Sequence, residues 1–371
     1  MQNNKILYCA STTEHIINFH TPYITALAHM GYEVTVCANR QEAIADTKAF
    51  FVVPFTKNIT SVENIKNIFR VFRYLKQHSF TAISVHTTLA AAVVRAAVRL
   101  LPAPKRPKVF YTCHGYLFSE NDGLGKIKYL LPEIICAGIT DVLLVMNRED
   151  KEIAERYGLY KRNGCLKMIP GMGVDFSRFD ILQNKPQLRY KYGIRDTEVL
   201  FVSVGEFSDR KNRQMLIDVF VRSFDSMPDA KLILAGDGEL LDDCKEQVEK
   251  LHAEKRIIFA GHVSNMPELY HLSDISLSSS RKEGLPFNIM EAMYCNVPCI
   301  ATDIKGHRDL IENGKTGFLF QNETELFNQM LQLYNDAQLR ETIAQNAKKS
   351  VLLYNLKDVQ PIVMQVYDEN L

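Results

Sequence analysis

Short runs of β-branched and aliphatic residues alternate with longer amphipathic stretches along the whole chain, and this alternation restricts the folds open to it. In the first half the runs include Ile6–Cys9, Val34–Cys37, Ala82–Val85, Lys108–Tyr111 and Val142–Val145. In the second half they are Leu200–Val204, Lys231–Ala235, Ile257–Phe259, Ile275–Ser278 and Cys299–Ala301. Near-continuous apolar runs suit strands buried on both faces, and helices between them make neighbouring strands parallel. The expected class is α/β, with two doubly wound, Rossmann-like sheets in succession. A Pro/Gly-rich stretch from Met168 to Asp175 separates them. It places a first domain at residues 1–170 and a second at 171–357. Ligands of such sheets bind outside the carboxyl ends of the strands, so the expected site lies in a cleft between the domains.

A chain of 371 residues can build two full cores. Its net charge of +1 gives no ground for a nucleic-acid partner. The eight cysteines form no Cys-x-x-Cys pair. Cys295 and Cys299 are close, but no histidine cluster in the sequence completes a zinc set. Reduced thiols and a start that runs straight into a strand predict a cytoplasmic protein without a signal peptide. The apolar runs are shorter than the ~20 residues of a membrane span. Ser11 to His15 follows the first strand where a dehydrogenase would carry Gly-x-Gly-x-x-Gly, so that class is disfavoured.

The segment from Ser278 to Met293 carries most of the chemistry. Glu283 stands in a loop after a strand, a helix is expected to open at Leu285-Pro286, and Glu291 falls about one turn inside it. Proline suits a first helical turn, whose N–H groups and dipole favour an anion such as a phosphate. The two carboxylates can accept hydrogen bonds from hydroxyls on either side of that anion. An anion flanked by polyols describes a nucleotide sugar. Two glutamates at this spacing also fit an acidic loop before an ordinary amphipathic helix.

With Gly284-Leu285-Pro286-Phe287 inside and Glu291-Ala292-Met293 at its end, the segment resembles the signature of retaining family-4 glycosyltransferases. The resemblance covers the whole chain and implies the GT-B fold. Ile17 to Tyr23 and Tyr111 to Tyr116 are similar to the bacterial capsule and exopolysaccharide branch. It implies that Glu283 faces the donor sugar and that Glu291 binds the ribose hydroxyls. Gly284, Leu285, Pro286, Phe287 and Gly205 would line the donor, with Val263 near the base. Lys211 stands six residues past Gly205, where the family's diphosphate-binding lysine belongs. The family often has arginine directly after that glycine; this chain has Glu206, and Arg210 could supply the charge instead. His114-Gly115 would reach the sugar near the reacting carbon. The last helix, 358–371, is expected to cross back onto the first domain.

Breaking a sugar–diphosphate bond leaves charge on the diphosphate, which cations or oriented N–H groups must stabilise. Lys211, Arg210 and the helix start are the candidates. His114 can donate a ring nitrogen to a hydroxyl at neutral pH. His15, His20 and His86 are assigned to the acceptor side. No Asp-x-Asp pair stands at a strand end, so neither metal nor other cofactor is expected. The resemblance implies retention of anomeric configuration. A double displacement needs a carboxylate beneath the sugar ring, for which Glu283 is the only motif candidate, so a front-face route is preferred.

The expected partners are a nucleotide-sugar donor, most simply UDP-linked, and a saccharide or polyprenyl-linked saccharide acceptor. Two basic-apolar stretches, Leu89–Lys108 and Lys126–Ile135, suit either core helices or contact with an anionic membrane. Rival readings are a nucleotide-sugar epimerase or hydrolase on the same fold, and a two-domain sugar-binding protein of the periplasmic kind. The expected thiol state and absence of a secretion signal disfavour the last.

Overall fold

The computed structural model describes residues 4–56 and 61–371, with Asn121 described by its backbone alone. The chain divides into two compact units. One comprises the residues up to Gly173 together with Lys357–Leu371; the other is Val174–Leu356.

The sheet of the first unit contains β1 Lys5–Cys9, β2 Glu33–Ala38, β3 Thr47–Val52, β4 Ala82–His86, β5 Lys108–Cys113, β6 Val142–Val145 and β7 Cys165–Met168. Its order is β3-β2-β1-β4-β5-β6-β7, parallel throughout. Helices α1 Thr13–Phe19, α2 Thr21–His29, α3 Val62–Gln77, α4 Thr88–Leu100, α5 Ile127–Ala137 and α6 Arg148–Tyr157 belong to it. The strand order reverses between β1 and β4, which opens a crevice for ligands at their carboxyl ends. Every residue of β4 and β6 is buried, as their apolar runs require. The runs did not identify β3, whose sequence TKAFFV lies at the sheet edge with mixed exposure.

In the second unit the helices are α7 Lys185–Lys191, α8 Arg213–Arg222, α9 Leu241–Lys250, α10 Met266–Leu272, α11 Phe287–Tyr294, α12 His307–Leu310, α13 Glu323–Asn335 and α14 Ala337–Val351. Its strands are β8 Val199–Val204, β9 Ala230–Ala235, β10 Ile257–Gly261, β11 Ile275–Ser278, β12 Cys299–Thr302 and β13 Phe318–Phe320. They form a parallel sheet ordered β10-β9-β8-β11-β12-β13, with the reversal between β8 and β11.

The final helix, α15 (Leu356–Asn370), contributes to the first unit. Tyr367 stacks on Phe110 at 4.7 Å between ring centroids and shares a 2.6 Å hydrogen bond with Ser84. The Gln360 amide donates to the Pro22 carbonyl.

Of the two basic-apolar stretches, α4 is a core helix. Ala90, Val93, Val94, Ala97 and Val98 are buried on it. Arg95, which reads as a basic edge in the sequence, has no exposure; it donates to Glu133 at 2.7 Å and lies 4.0 Å over the Tyr111 ring. Helix α5 differs: Ile127, Leu131, Ile134 and Ile135 are 45–52% exposed. Among the described residues no helix is long and apolar enough to cross a membrane.

Candidate active site

In the second unit the chemistry gathers where the strand order reverses. After β8 the chain turns through Gly205 into a short 3-10 segment, Asp209–Lys211, and then α8. After β11 it runs through Ser279 to Glu283. Two hydrogen bonds to backbone carbonyls hold these loops together: the Arg281 N–H donates to the Arg210 carbonyl, and the Ser279 hydroxyl donates to the Lys211 carbonyl, both at 2.8 Å. Across this seam the Lys211 ammonium donates to Glu283 Oε1 at 2.7 Å. Arg210 reaches the same oxygen at 2.9 Å. Lys211 and Glu283 side chains are only 12% and 10% exposed, whereas Arg210 is 42% exposed.

Burial alone would raise the Glu283 pKa, but Lys211 and Arg210 outweigh it and bring it down to about 2. Glu283 is therefore ionised at any physiological pH. Burial also lowers the Lys211 pKa, against the pull of Glu283. The result is a fixed carboxylate with cations beside it, assembled from residues far apart in sequence.

Two glycine contacts make this seam possible. A Cβ on Gly236, at φ 132°, would sit 1.9 Å from the Gly205 carbonyl oxygen. A Cβ on Gly306, at φ 80°, would come within 2.4 Å of the Gly284 oxygen. Both positions require a backbone that side chains rarely tolerate, and both allow a neighbouring main chain to approach closely. Arg213, which motif reasoning missed, braces the same region. Its guanidinium donates to the carbonyls of Ser203, Gly205 and Ala235, joining the ends of β8 and β9. Only its place at the start of α8, directly after the Lys211 loop, could have drawn attention to it.

Helix α11 begins at Phe287, with Pro286 as its extended N-cap (φ −77°, ψ 121°). The proline thus precedes the helix instead of occupying its first turn. Proline offers no side-chain acceptor for the first amides, and the helix start carries the positive end of the dipole. The Asn288 amide donates to the Val204 carbonyl at 2.9 Å and fastens α11 to the end of β8. Glu291 accepts from the Tyr270 hydroxyl at 3.3 Å. Burial raises its pKa to about 7, only partly offset by Tyr270 and Arg178.

This gives a sign for pH dependence. Glu291 is largely protonated at pH 6 and ionised at pH 8, and a carboxylate accepts ribose hydroxyls better than a carboxylic acid does. If Glu291 has the ribose-binding role that the family resemblance implies, nucleoside diphosphate affinity should rise about tenfold from pH 6 to 8, one charged hydrogen bond being worth ~1.5–3 kcal/mol. Calorimetry on Glu291→Gln should show weaker binding and a flatter profile, leaving only the ligand's own phosphate ionisation. In the free protein the raised pKa acts oppositely: its stabilising contribution is complete below the unfolded value and is lost as the pH rises through 7.

In the first unit, four histidines meet at the carboxyl ends of β1, β4 and β5, beside the reversal point. His15 lies on α1, His20 between α1 and α2, His86 ends β4 and His114 follows β5. The His20 and His86 rings lie 4.1 Å apart, and His15 and His114 4.9 Å apart. A chain of contacts runs inward from His114: its Nε2 is 3.3 Å from His86 Nδ1, His86 Nε2 is 2.9 Å from the Ser84 hydroxyl, and Ser84 meets Tyr367. The Tyr8 hydroxyl lies 2.9 Å from His20 Nδ1. Burial lowers the pKa of all four, to about 4 for His15. They are neutral imidazoles at physiological pH.

This packing corrects one expectation. His86 is fully buried with both ring nitrogens engaged, so it supports His114 and does not face an acceptor. His15 and His114 are half-buried. Thr87, next to His86, is held at φ 64°, an uncommon conformation for a β-branched residue. Its hydroxyl accepts from the Ser11 N–H and lies 2.6 Å from the Ser11 hydroxyl. That contact pins the β1 loop to the end of β4.

The structure thus brings Lys211, Arg210 and Glu283 into direct contact, with Gly205 packed against the Lys211 stem. Leu285 and Pro286 are buried at the start of α11, and Gly284 and Phe287 are half-buried there. Val263 follows β10, an edge strand two places from β8, and is half-buried.

Two family models match the chain: "Glycosyltransferase Family 4" over residues 23–170 and "Glycosyl transferases group 1" over residues 184–350. The chain is 30% identical over 356 residues to a putative glycosyltransferase, EpsD, of Bacillus subtilis (strain 168), covering 95% of this chain and 93% of that one. It is 28% identical to the UDP-Gal:alpha-D-GlcNAc-diphosphoundecaprenol alpha-1,3-galactosyltransferase of Escherichia coli, covering 82% and 79% of the two chains. Among solved structures it resembles Anabaena Alr3699/HepE in complex with UDP and glucose, with a TM-score of 0.78, 20% identity, and coverage of 98% and 99%.

Proposed function

This chain belongs to the family-4 (group 1) glycosyltransferases, with the GT-B fold, and from that premise we propose that it transfers a sugar from a UDP-linked donor to a glycan or lipid-linked saccharide during cell-surface polysaccharide synthesis. Transfer retains the anomeric configuration and needs neither metal nor other cofactor. The observation that carries this reading is the Lys211–Glu283–Arg210 cluster beside the start of α11, with Glu291 just over one turn further in.

In this scheme α11 and Lys211 receive the diphosphate, and Glu291 accepts from the ribose. As the bond from the anomeric carbon to phosphate oxygen breaks, negative charge grows on the leaving diphosphate. The acceptor oxygen bonds to the same carbon from the same face, and its proton passes to the departing phosphate oxygen. Lys211 stabilises that charge most at the transition state, where it accelerates the reaction. Glu283 holds the Lys211 ammonium in place and offers its other oxygen to sugar hydroxyls. His114 serves the sugar and half-buried His15 the acceptor side, with fully buried His20 behind them.

The test is a screen of purified protein against UDP-, GDP- and ADP-sugars with polyprenyl-diphosphate-linked saccharides, reading product and anomeric configuration. Donor consumption without an acceptor-dependent product would favour the hydrolase or epimerase reading. In excess EDTA the transfer rate is expected to stay at or above its untreated value. Loss of activity restored only by manganese or magnesium would contradict the assignment of charge stabilisation to Lys211 and α11.

The exposed face of α5 supports a peripheral contact with the inner, anionic membrane face from a cytoplasmic position. Its half-exposed Ile127, Leu131, Ile134 and Ile135 stand beside exposed Lys128. The eight cysteines, all free, fit a reducing compartment. The protein should sediment with vesicles containing phosphatidylglycerol and release at high salt. Leu131→Glu with Ile134→Glu should abolish sedimentation; equal binding to purely zwitterionic vesicles would remove the electrostatic part of this contact.

A further inference from the structure

We propose that His15, His20 and His114 form a binding site for one borderline-soft divalent transition cation, zinc(II) foremost. Their candidate ligand atoms all lie within 4.8 Å of one another. Among the described residues this is the only such group of three or more metal-ligating side chains. Two of its members carry a second signal: His15 Nε2 and His20 Nε2 are buried without a hydrogen-bond partner. Buried polar atoms are rarely left unsatisfied, and lone-pair donation to a cation would satisfy both.

The surroundings have the features of a supported site. A ligating histidine normally donates its other ring N–H to a fixed partner. Tyr8 is placed for that role, 2.9 Å from His20 Nδ1. With that N–H given to the Tyr8 oxygen, His20 Nε2 carries the free lone pair. The strained Thr87 and its Ser11 contact hold the loop before α1 against the end of β4, which keeps His15 in register with the other two rings. Ligating nitrogens around tetrahedral zinc are about 3.4 Å apart, given Zn–N bonds of about 2.0–2.1 Å. Binding therefore draws the rings inward by about an ångström.

The donor set selects the ion. Three imidazoles and no carboxylate suit zinc, copper or nickel, and exclude magnesium and calcium, which require oxygen ligands. Three protein ligands also leave a position open to water or a hydroxyl. This inference rests on the proposed function only in its consequence: if His114 serves transfer, a cation that captures it inhibits the enzyme.

Calorimetric titration of zinc into chelator-treated, dialysed protein tests the site directly. We expect one tight zinc per chain, at least tenfold weaker binding in both His15→Ala and His114→Ala, and no comparable magnesium binding. Both substituted positions are half-buried, and circular dichroism with retained UDP affinity verifies folding. Cobalt(II) should give the visible absorption of a tetrahedral nitrogen site in the wild type, lost in both variants. Zinc affinity unchanged in both variants, or abolished instead by Cys165→Ser, would overturn the site. In the transfer assay, zinc should inhibit wild type at lower concentration than His15→Ala, each compared with its own metal-free rate. Tight, His15-dependent binding without inhibition would sustain the site and remove His114 from transfer.

Discussion

Lys211→Ala is expected to lower turnover by about a hundredfold or more while changing donor KM by less than about threefold. In the proposed role, the charge Lys211 opposes is small in the bound donor and large as the diphosphate departs, so its loss would fall on the transition state. Single groups that stabilise a developing oxyanion are worth 10²–10³ in rate, or about 2.7–4 kcal/mol. The substitution also removes one of two cations from Glu283, leaving that carboxylate to Arg210 alone. Breaking a buried pair is destabilising by as much as ~3–5 kcal/mol, which the remaining guanidinium reduces here. Rates must therefore be normalised to the folded fraction by circular dichroism. Glu283→Gln is the converse test: it keeps the lysine but leaves its buried ammonium without the carboxylate partner, so its rates need the same normalisation. Wild-type turnover from folded Lys211→Ala would transfer the electrostatic role to Arg210 and the start of α11.

His114→Ala should lose most glycosyl transfer, roughly a hundredfold, and bind free nucleoside diphosphate within about twofold of wild type. The nucleotide-binding candidates Lys211, Glu283 and Glu291 all belong to the second unit, whereas His114 belongs to the first. His114 is neutral and held through His86, Ser84 and Tyr367. A hydrogen-bond donor aimed at charge that develops in the transition state is worth about 10²–10³ in rate. Tyr367→Phe keeps the ring stacked on Phe110 but removes the last hydroxyl of this chain. It should cost several-fold in turnover with unchanged nucleotide affinity. Lost UDP binding in folded His114→Ala, or an unchanged transfer rate, would end this division of labour.

The parts of the site that lie within one element were legible from the sequence. Glu283 and Glu291 are separated by a loop and just over one helical turn, so their spacing and the intervening Gly-Leu-Pro specified a strand–loop–helix unit directly. The precise helix start was less legible, because proline is compatible with both the N-cap and the first turn. The central strands announced themselves through continuous apolar runs. Strands β3 and β13 did not: one is a half-exposed edge with charged Lys48, and the other has three residues. Arg95 misled for a related reason. A charged residue within an apolar helix suggests a surface boundary, unless a partner such as Glu133 is supplied by another helix.

By itself, then, the sequence determined the α/β class, the central strands and the double-glutamate unit, because local periodicity and short spacing suffice for each. Only the tertiary structure decided that Lys211 pairs with Glu283, that Arg213 joins β8 to β9, and that His15, His20, His86 and His114 converge. In a parallel sheet, each neighbouring strand is reached by a crossover, so residues at adjacent strand ends are remote along the chain. The protonation states of these groups depend on that convergence as well. Burial lowers the histidine pKa values and raises that of Glu291, while neighbouring cations lower that of Glu283 despite its burial. A residue's sequence position carries neither its depth nor the charges that will surround it.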